Sequence, residues 1–259
     1  MVADRIFEPA FPGLASPWTS ALVVDSELDL RVDAAAPEHA RAVEHVVDAQ
    51  SLDGIAWARQ VHGDTILRVE EPGCAGNADA LWTTVSGLGI MGRSADCPIV
   101  LIAGYRGDGL PIWGMAHASW RSTVAGITSR LLVDMVAADA DPDRLWAMIA
   151  PSAGPCCYEV GEEVRGEALT KIGPHATGFF DRHDDRLFFD LWAANSDALS
   201  RGGLTARIDG RCTICGDGFP SYRRGGGGGG RVGGGVGVGS GMEGGRKPRR
   251  GGSNPNTTP

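Results

Sequence analysis

The 259-residue sequence lacks any apolar run that approaches the length of a membrane span. Its longest strongly apolar stretches, such as 99–103, fall far short of the ~20 residues that a transmembrane helix needs. The first residues carry acidic side chains and no apolar core, so we expect no signal peptide. Six cysteines without a secretory signal do not favour a disulfide framework, which leaves the thiols as metal ligands or small buried groups. We therefore expect a cytoplasmic protein that does not enter a membrane.

Basic residues are scarce relative to acidic ones in most of the chain, and the net charge of −8 understates this imbalance. From Arg223 to the last residue, seven Lys and Arg stand against one Glu, a charge of +6, so residues 1–222 carry −14. A body this acidic repels the phosphate backbone of nucleic acids. We therefore expect no general binding of nucleic acid.

Apolar side chains are also scarce after residue 224, where residues 225–259 contain 16 of the 39 glycines. Such a segment cannot bury enough apolar surface to offset the entropy lost on ordering. We therefore predict a catalytic domain at 1–224 and a disordered, dispensable Gly/Arg-rich tail at 225–259. A short edge strand in VGGGVGV and an RNA-binding role, typical of Gly/Arg repeats, are the alternatives.

Residues 1–224 alternate between strand and helix patterns, which we read from runs and spacings of apolar residues. The expected strands are 66–69, 99–103, 111–116, 145–150 and 206–209. The expected helices are 122–138, 162–171 and 188–201, the last led by Asp190. The sequence contains more expected strands than a simple alternation of strand and helix would have. The sequence therefore predicts an α/β (α+β) fold, a single compact domain with a mixed sheet flanked by helices.

Three segments each deliver one metal-ligand side chain beside small residues: His62 in RQVHG, Cys97 in SADCP and His117 in MAHASWR. All three lie at expected strand ends or loops, where α/β folds place their chemistry. Two imidazoles and one thiolate suit zinc and leave a fourth coordination position open. Their spacing alone is not diagnostic, and taken singly each residue is more typical of a structural role.

Neighbouring side chains have candidate roles as well. Arg121, four residues after His117, is predicted to bind phosphate bidentately, with a surface ion pair as the alternative. Asp96 is expected either to orient a histidine or to cap a turn. Three residues have a substrate role and a structural or solvent role open to them: Arg59, Gln60 and Trp120.

Four further cysteines form two close pairs in the sequence. The vicinal pair Cys156 and Cys157 favours structural burial over a ligand role. Cys212 and Cys215 resemble half of a zinc site, but no second pair with that spacing completes it.

Seven segments occur in one order between about residues 55 and 224: QVHG, ADCP, HASWR, GPCCYEVGEEV, DLWAANSDAL, CT and SYRR. Together they resemble the YfiH/laccase-domain family, also described as multicopper polyphenol oxidase-like, which includes bacterial purine nucleoside phosphorylases and FAMIN. The resemblance implies a compact α/β fold with a zinc site at His62, Cys97 and His117.

The same resemblance implies an activity, the phosphorolysis of adenosine, inosine or methylthioadenosine, with adenosine deamination as a companion reaction. The expected partners are a purine nucleoside and phosphate, and the expected state is a monomer or homodimer. The catalytic residues would be His62, Cys97, His117 and Arg121. The chain departs from the family pattern where Ser119 and Ser122 replace two glycines, and where glycine repeats replace a strand after SYRR.

Two other activities remain open from the sequence. A laccase-like polyphenol oxidase with copper would need several copper sites and many histidines, whereas this chain has six histidines and no His-x-His pair. Some members of the family resemble peptidoglycan editing factors. A single zinc ion fits the residues better than a set of copper ions, so we favour the phosphorylase.

Overall fold

The computed structural model describes residues 6–7, 18–25, 43–44, 46–48, 50–225 and 231–238. The strands are β1 Ile6–Phe7, β2 Trp18–Asp25, β3 Gly54–Arg59, β4 Ile66–Arg68, β5 Gly73–Asn77, β6 Ala80–Thr83, β7 Leu88–Ser94, β8 Ile99–Arg106, β9 Pro111–His117, β10 Ala140–Ile149, β11 Glu159–Val160, β12 Phe180–His183, β13 Arg186–Phe189, β14 Ala206–Ile208 and β15 Arg231–Val238. The α-helices are α1 Trp120–Val124, α2 Ile127–Ala137, α3 Glu162–Lys171, α4 Leu191–Arg201 and α5 Tyr222–Gly225, with a 3₁₀ helix at Pro174–Phe179. No helix in these ranges is both long and apolar enough to span a membrane.

The strands form two six-stranded sheets and one small sheet. The first has the order β1-β2-β15-β7-β3-β5, the second β14-β10-β8-β9-β6-β4, and the third β11-β13-β12. Both large sheets are mixed. In the first, β3 runs parallel to β5 and β7 while β15 is antiparallel to β2 and β7. In the second, β8 is antiparallel to both neighbours while β4 is parallel to β6.

Alternation along β8 shows how the layers pack. Ile99 and Leu101 belong to a core cluster shared with Ile90 of the first sheet. Val100 belongs to a second cluster, which contains Leu131 of α2. Because successive side chains point to opposite faces of a strand, the apolar run of β8 fills both cores. The expected single compact α/β domain is confirmed. Helices flank one face of the second sheet, and the first sheet covers the other.

The single helix predicted at 122–138 is wrong, because the chain forms two helices there. The hydroxyl of Ser119 caps the first by accepting from the amide of Ser122 at 3.2 Å. Gly126 then adopts a φ of 78°, which favours glycine and turns the chain before α2 begins. The two helices are therefore separate elements joined at Gly126.

The helix predicted at 188–201 begins three residues later than expected. Phe188 and Phe189 lie in β13, and Asp190 caps α4 by accepting from the amide of Ala193 at 2.9 Å. The helix predicted at 162–171 is confirmed as α3. The predicted strands correspond to β4, β8, β9, β10 and β14, with ends shifted by a few residues.

The prediction of a disordered tail is wrong for Arg231–Val238, which forms β15. This strand is also not at a sheet edge, because eight of its residues pair with β2 and five with β7. Sheet pairing uses main-chain groups that glycine also carries, so two neighbouring strands stabilise a segment that could not fold alone. Residues 226–230 and 239–259 lie outside the described residues. The domain end at residue 224 stays a prediction that β15 argues against.

Truncation tests the contribution of β15. A chain that ends at Arg224 leaves β2 and β7 without the strand between them, and we expect its free energy of unfolding to fall by about 5 kcal/mol or more. The melting temperature should then drop by roughly 10–20 °C, measured by calorimetry. A chain that ends at Gly239 keeps the strand and is the control. Equal melting temperatures for the two truncated chains would contradict the placement of β15.

Candidate metal centre

The three predicted ligands converge although 35 and 20 residues separate them in the sequence. His62 lies in the loop after β3, Cys97 in the turn between β7 and β8, and His117 at the end of β9. Strand pairing brings the last two together, because Ile99 of β8 lies opposite His117. The candidate ligand atoms of the three side chains all lie within 4.8 Å of one another. Their arrangement can hold one metal ion, and that role stays a prediction.

Asp79 positions both histidines. It is fully buried in the turn between β5 and β6. Its Oδ1 accepts from Nδ1 of His117 at 2.8 Å and from the backbone amide of His62 at 3.0 Å. Its Oδ2 accepts from the amides of Val61 at 3.1 Å and Gly63 at 2.8 Å. One carboxylate therefore fixes the loop that carries one candidate ligand and the ring of another.

The backbone at 61–63 wraps around this carboxylate. His62 adopts a φ of 60°, in the left-handed region, which costs about 1 kcal/mol or more for a residue with a side chain. The three consecutive amides that reach Asp79 offset that cost, because charge-assisted hydrogen bonds to a buried carboxylate are strong. The strained conformation at His62 is thus a consequence of the Asp79 contact.

Asp79 also determines which nitrogen of His117 is available. An ionised carboxylate only accepts hydrogen bonds, so Nδ1 of His117 carries a proton and Nε2 is left as the ligand atom. Although burial opposes ionisation of Asp79, its hydrogen bonds with His117 and with the amides lower its pKa below the usual value. Carboxylates in this position orient metal-binding histidines and raise their basicity.

Cys97 and His117 form a charged pair. Burial opposes ionisation of the Cys97 thiol, but hydrogen bonds from His117 and His62 lower its pKa to about 6. Burial likewise opposes protonation of His117, but hydrogen bonds to Asp79 and Cys97 raise its pKa to about 9. These opposite shifts favour a thiolate beside an imidazolium when no metal is bound. A metal cation bound at Nε2 would take the place of that proton next to the anionic sulfur.

Other predicted residues have structural contacts. The carboxylate of Asp96 accepts from the hydroxyl of Thr213 at 2.7 Å and from the amide of Arg223 at 2.8 Å, so Asp79 and not Asp96 orients a histidine. The side chain of Gln60 bonds both main-chain groups of Arg93, at 2.7 and 2.9 Å. Sequence reasoning missed Asp79, because the NADAL segment carries no metal-site pattern.

The ligands open into a pocket of about 660 Å³, within the size range of small-molecule sites. Four arginines line it: Arg59, Arg93, Arg121 and Arg223. The guanidinium of Arg121 stacks 4.2 Å from the Trp120 ring centre, and that of Arg223 lies 5.0 Å from the Tyr158 ring centre. The mouth is therefore cationic in a body that is acidic overall.

Comparison with known proteins matches the chain to a family profile, to named proteins and to a solved structure. The profile of a family described as multi-copper polyphenol oxidoreductase laccase matches residues 26–239. Purine nucleoside phosphorylase YfiH of Escherichia coli (strain K12) is 34% identical over 172 residues, which cover 65% of this chain and 68% of that protein. Adenosine deaminase RL5, from an unknown prokaryotic organism, is 32% identical over 168 residues, 60% of this chain and 62% of that protein. The crystal structure of YlmD from Geobacillus stearothermophilus superposes with a TM-score of 0.75 at 23% identity, covering 86% and 92% of the two chains.

Replacing Asp79 tests its role in positioning the ligands. In Asp79→Asn an amide nitrogen faces N–H groups that need an acceptor, so we expect metal affinity to fall by about 10–100-fold. Competition with a chromogenic chelator measures this affinity. Asp108→Asn, which alters an exposed carboxylate in the β8–β9 turn, is the matched control. Unchanged affinity in Asp79→Asn would contradict the assigned role.

Replacing Cys97 tests the ligand set itself. The Cys97→Ala variant removes the only anionic ligand of the three, so we expect it to lose one zinc ion per chain relative to the unmodified protein. Elemental analysis by mass spectrometry measures the loss, with Cys74→Ala, a free thiol in β5, as control. Full metal content in Cys97→Ala would exclude Cys97 as a ligand.

Proposed function

The chain belongs to the multi-copper polyphenol oxidoreductase laccase family, and on this basis we propose that it is a zinc-dependent purine nucleoside phosphorylase. The resemblance read from the sequence motifs agrees with that membership. The observation that most directly supports the proposal is the pocket, in which three candidate metal ligands adjoin a cluster of arginines. Adenosine, inosine and methylthioadenosine are the proposed substrates.

The donor set fits a single zinc ion. His62, Cys97 and His117 offer two nitrogens and one sulfur, and they leave a fourth position open. A zinc ion held there would supply Lewis-acid chemistry beside the substrate. The chain's own contribution is positional, because Asp79 holds the proton of His117 on Nδ1 and fixes the loop at His62.

The arginines that line the pocket can bind phosphate. Phosphate is a dianion near neutral pH, and a planar guanidinium matches two of its oxygens. The guanidinium carbon of Arg121 lies over the Trp120 ring, 4.2 Å from its centre, and this cation–π contact restrains the side chain. Arg121 also lines the pocket, where its N–H groups can bind an oxyanion. A neutral nucleoside needs no such cluster of positive charge.

The reaction that these groups serve is a displacement at the anomeric carbon. An oxygen of phosphate forms a bond to that carbon while the bond from carbon to the purine nitrogen breaks. The purine leaves with the electron pair of that bond and takes up a proton, and ribose 1-phosphate is the other product. The arginines would hold the attacking phosphate in place, and such positioning accelerates a two-substrate reaction. Trp120, Tyr158 and Tyr222 line the same pocket and supply aromatic surface against which a purine can pack.

Adenosine deamination is the second candidate. The match to a protein named adenosine deaminase favours it, and it would use the same metal centre with water in place of phosphate. A laccase-like oxidation with copper has less support. Within the described ranges, two groups of side chains can hold a metal, and histidines occur in one of them, whereas multicopper sites need many histidines.

The phosphorylase proposal predicts a specific effect of Arg121→Lys. The variant keeps the positive charge but loses the guanidinium, which can donate two parallel hydrogen bonds to phosphate. We therefore expect the KM for phosphate to rise about tenfold, with little change in the KM for adenosine or inosine. Arg144→Lys, at another arginine stacked on an aromatic ring (Tyr105) outside the pocket, is the matched control. Steady-state kinetics with each substrate varied in turn measures the split.

Chromatography of adenosine incubated with the metal-loaded protein distinguishes phosphorolysis from deamination, and an assay of phenol oxidation tests the third reaction. Free adenine and ribose 1-phosphate in proportion to phosphate would support phosphorolysis. Inosine as the only product at every phosphate concentration would show that deamination is the reaction. Oxidation of phenols by dioxygen in proportion to added copper would favour the oxidase instead.

A further inference from the structure

Four cysteine sulfurs gather outside the pocket. Cys156, Cys157, Cys212 and Cys215 place all their Sγ atoms within 4.8 Å of one another. All four are free thiols, and the Sγ atoms of Cys156 and Cys215 are 3.7 Å apart. The vicinal pair and the Cys-x-x-Cys pair, unrelated in sequence, thus form one cluster. The Cys-x-x-Cys half-site has a partner that its spacing did not reveal.

The 3.7 Å between the Sγ atoms of Cys156 and Cys215, with all four sulfurs within 4.8 Å of one another, is compatible with one tetrahedral ion. Zinc–sulfur bonds of about 2.3 Å in a tetrahedron place the sulfurs roughly 3.8 Å apart. A disulfide needs a separation of about 2.05 Å, well below the 3.7 Å found for Cys156 and Cys215. In a four-iron cluster each thiolate binds a different iron, so the sulfurs stand further apart than on a single ion.

Two tight turns present the thiols. The amides of Cys157 and Tyr158 both donate to the carbonyl of Gly154, at 3.0 Å each, and this turn carries the vicinal pair. The amide of Gly216 donates to the carbonyl of Cys212 at 2.8 Å and closes the Cys-x-x-Cys turn. The turns approach closely, since the amide of Gly154 donates to Sγ of Cys212 at 3.2 Å. A Cβ on Gly154 would lie 3.2 Å from that of Cys212.

The surroundings affect the four thiols differently. Partial burial, together with Cys212 and Cys215, raises the pKa of Cys156 to about 11 although Cys157 opposes this, and partial burial together with Cys156 and Cys215 raises that of Cys157 further. Burial opposes ionisation of Cys212 too, but backbone amides directed at its sulfur lower its pKa to about 7. Four thiolates at these distances repel one another strongly, and a divalent cation among them removes that repulsion.

We propose that Cys156, Cys157, Cys212 and Cys215 bind one zinc ion in a second metal site, separate from His62, Cys97 and His117. All four coordination positions are filled by the protein, so the ion is structural and takes no part in the reaction. This proposal does not depend on the phosphorylase activity.

Hydrogen bonds connect the proposed second site to the backbone beside Cys97 in the first site. Thr213, next to Cys212, donates to the carboxylate of Asp96, which precedes Cys97. On the other turn, the amide of Ala153 donates to the carbonyl of Asp96 at 2.7 Å. Tyr158, next to Cys157, lines the pocket. An ion that joins the two turns therefore stabilises the backbone that carries Cys97.

Metal counting on variants of the whole protein tests the proposal. We expect two zinc ions per chain in the unmodified protein and in Cys74→Ser, and one in both Cys97→Ser and the double variant Cys156→Ser/Cys215→Ser. After cobalt substitution, the double variant should lose most of the thiolate-to-cobalt charge-transfer absorption, because four of the five thiolate ligands belong to the second site. Cys97→Ser should keep most of that absorption. If the double variant does not fold, the single variant Cys156→Ser, at an exposed residue, provides the same comparison.

Two results would overturn the proposal. One is equal metal content in the unmodified protein and in the cysteine variants of the second site, with a loss only in Cys97→Ser. The other is a disulfide among the four cysteines with no second ion, detected by native alkylation and intact mass, which would make the cluster a redox pair. Because Cys97→Ser reports on the first centre alone, failure of one site is distinguishable from failure of the other.

Discussion

The hydrogen bonds of the buried Asp79 carboxylate are the constraint on which the candidate site depends. They hold the amides at 61–63 and the ring of His117 on one anion. Without that charge, the left-handed conformation of His62 would have no compensation and the ring of His117 no fixed tautomer. The lowered pKa of Cys97 follows in turn, since it comes from hydrogen bonds with the two histidines that Asp79 positions. The orientation of the two candidate histidine ligands and the thiolate character of Cys97 are therefore linked through one side chain.

The sheets deliver these groups to one place. Pairing of β8 with β9 sets His117 opposite Ile99, and both strands are buried between the first sheet and helices α2 and α4. Because this core is packed on both faces, the strand ends that carry Cys97 and His117 cannot shift independently. The residues around Tyr158 and Arg223 then surround the candidate ligands with cationic and aromatic side chains. A packed centre with a charged pocket mouth is the basis of the proposed binding of phosphate beside a nucleoside.

Much of this arrangement could be predicted from the sequence, and the failures have physical reasons. The local sequence pattern identified β8, because an unbroken apolar run marks a strand that is buried on both faces, and it also identified α3, although that helix buries only Val164 and Ala168. It joined α1 and α2, since the apolar spacing continues across Gly126 and only backbone conformation breaks the helix. Composition could not predict β15, whose stability comes from main-chain pairing with β2 and β7. The role of Asp79 and the four-cysteine cluster were not predicted for a similar reason, because their contacts join residues that are distant in sequence.

Anomalous diffraction at the zinc absorption edge tests the central claim most directly. We expect a zinc peak bonded to Nε2 of His117, Sγ of Cys97 and a ring nitrogen of His62, with the Asp79 carboxylate on Nδ1 of His117. A peak at that position seen only at the copper edge would contradict the assignment of zinc. Crystals of zinc-loaded protein without any peak among these three side chains would contradict the metal centre itself.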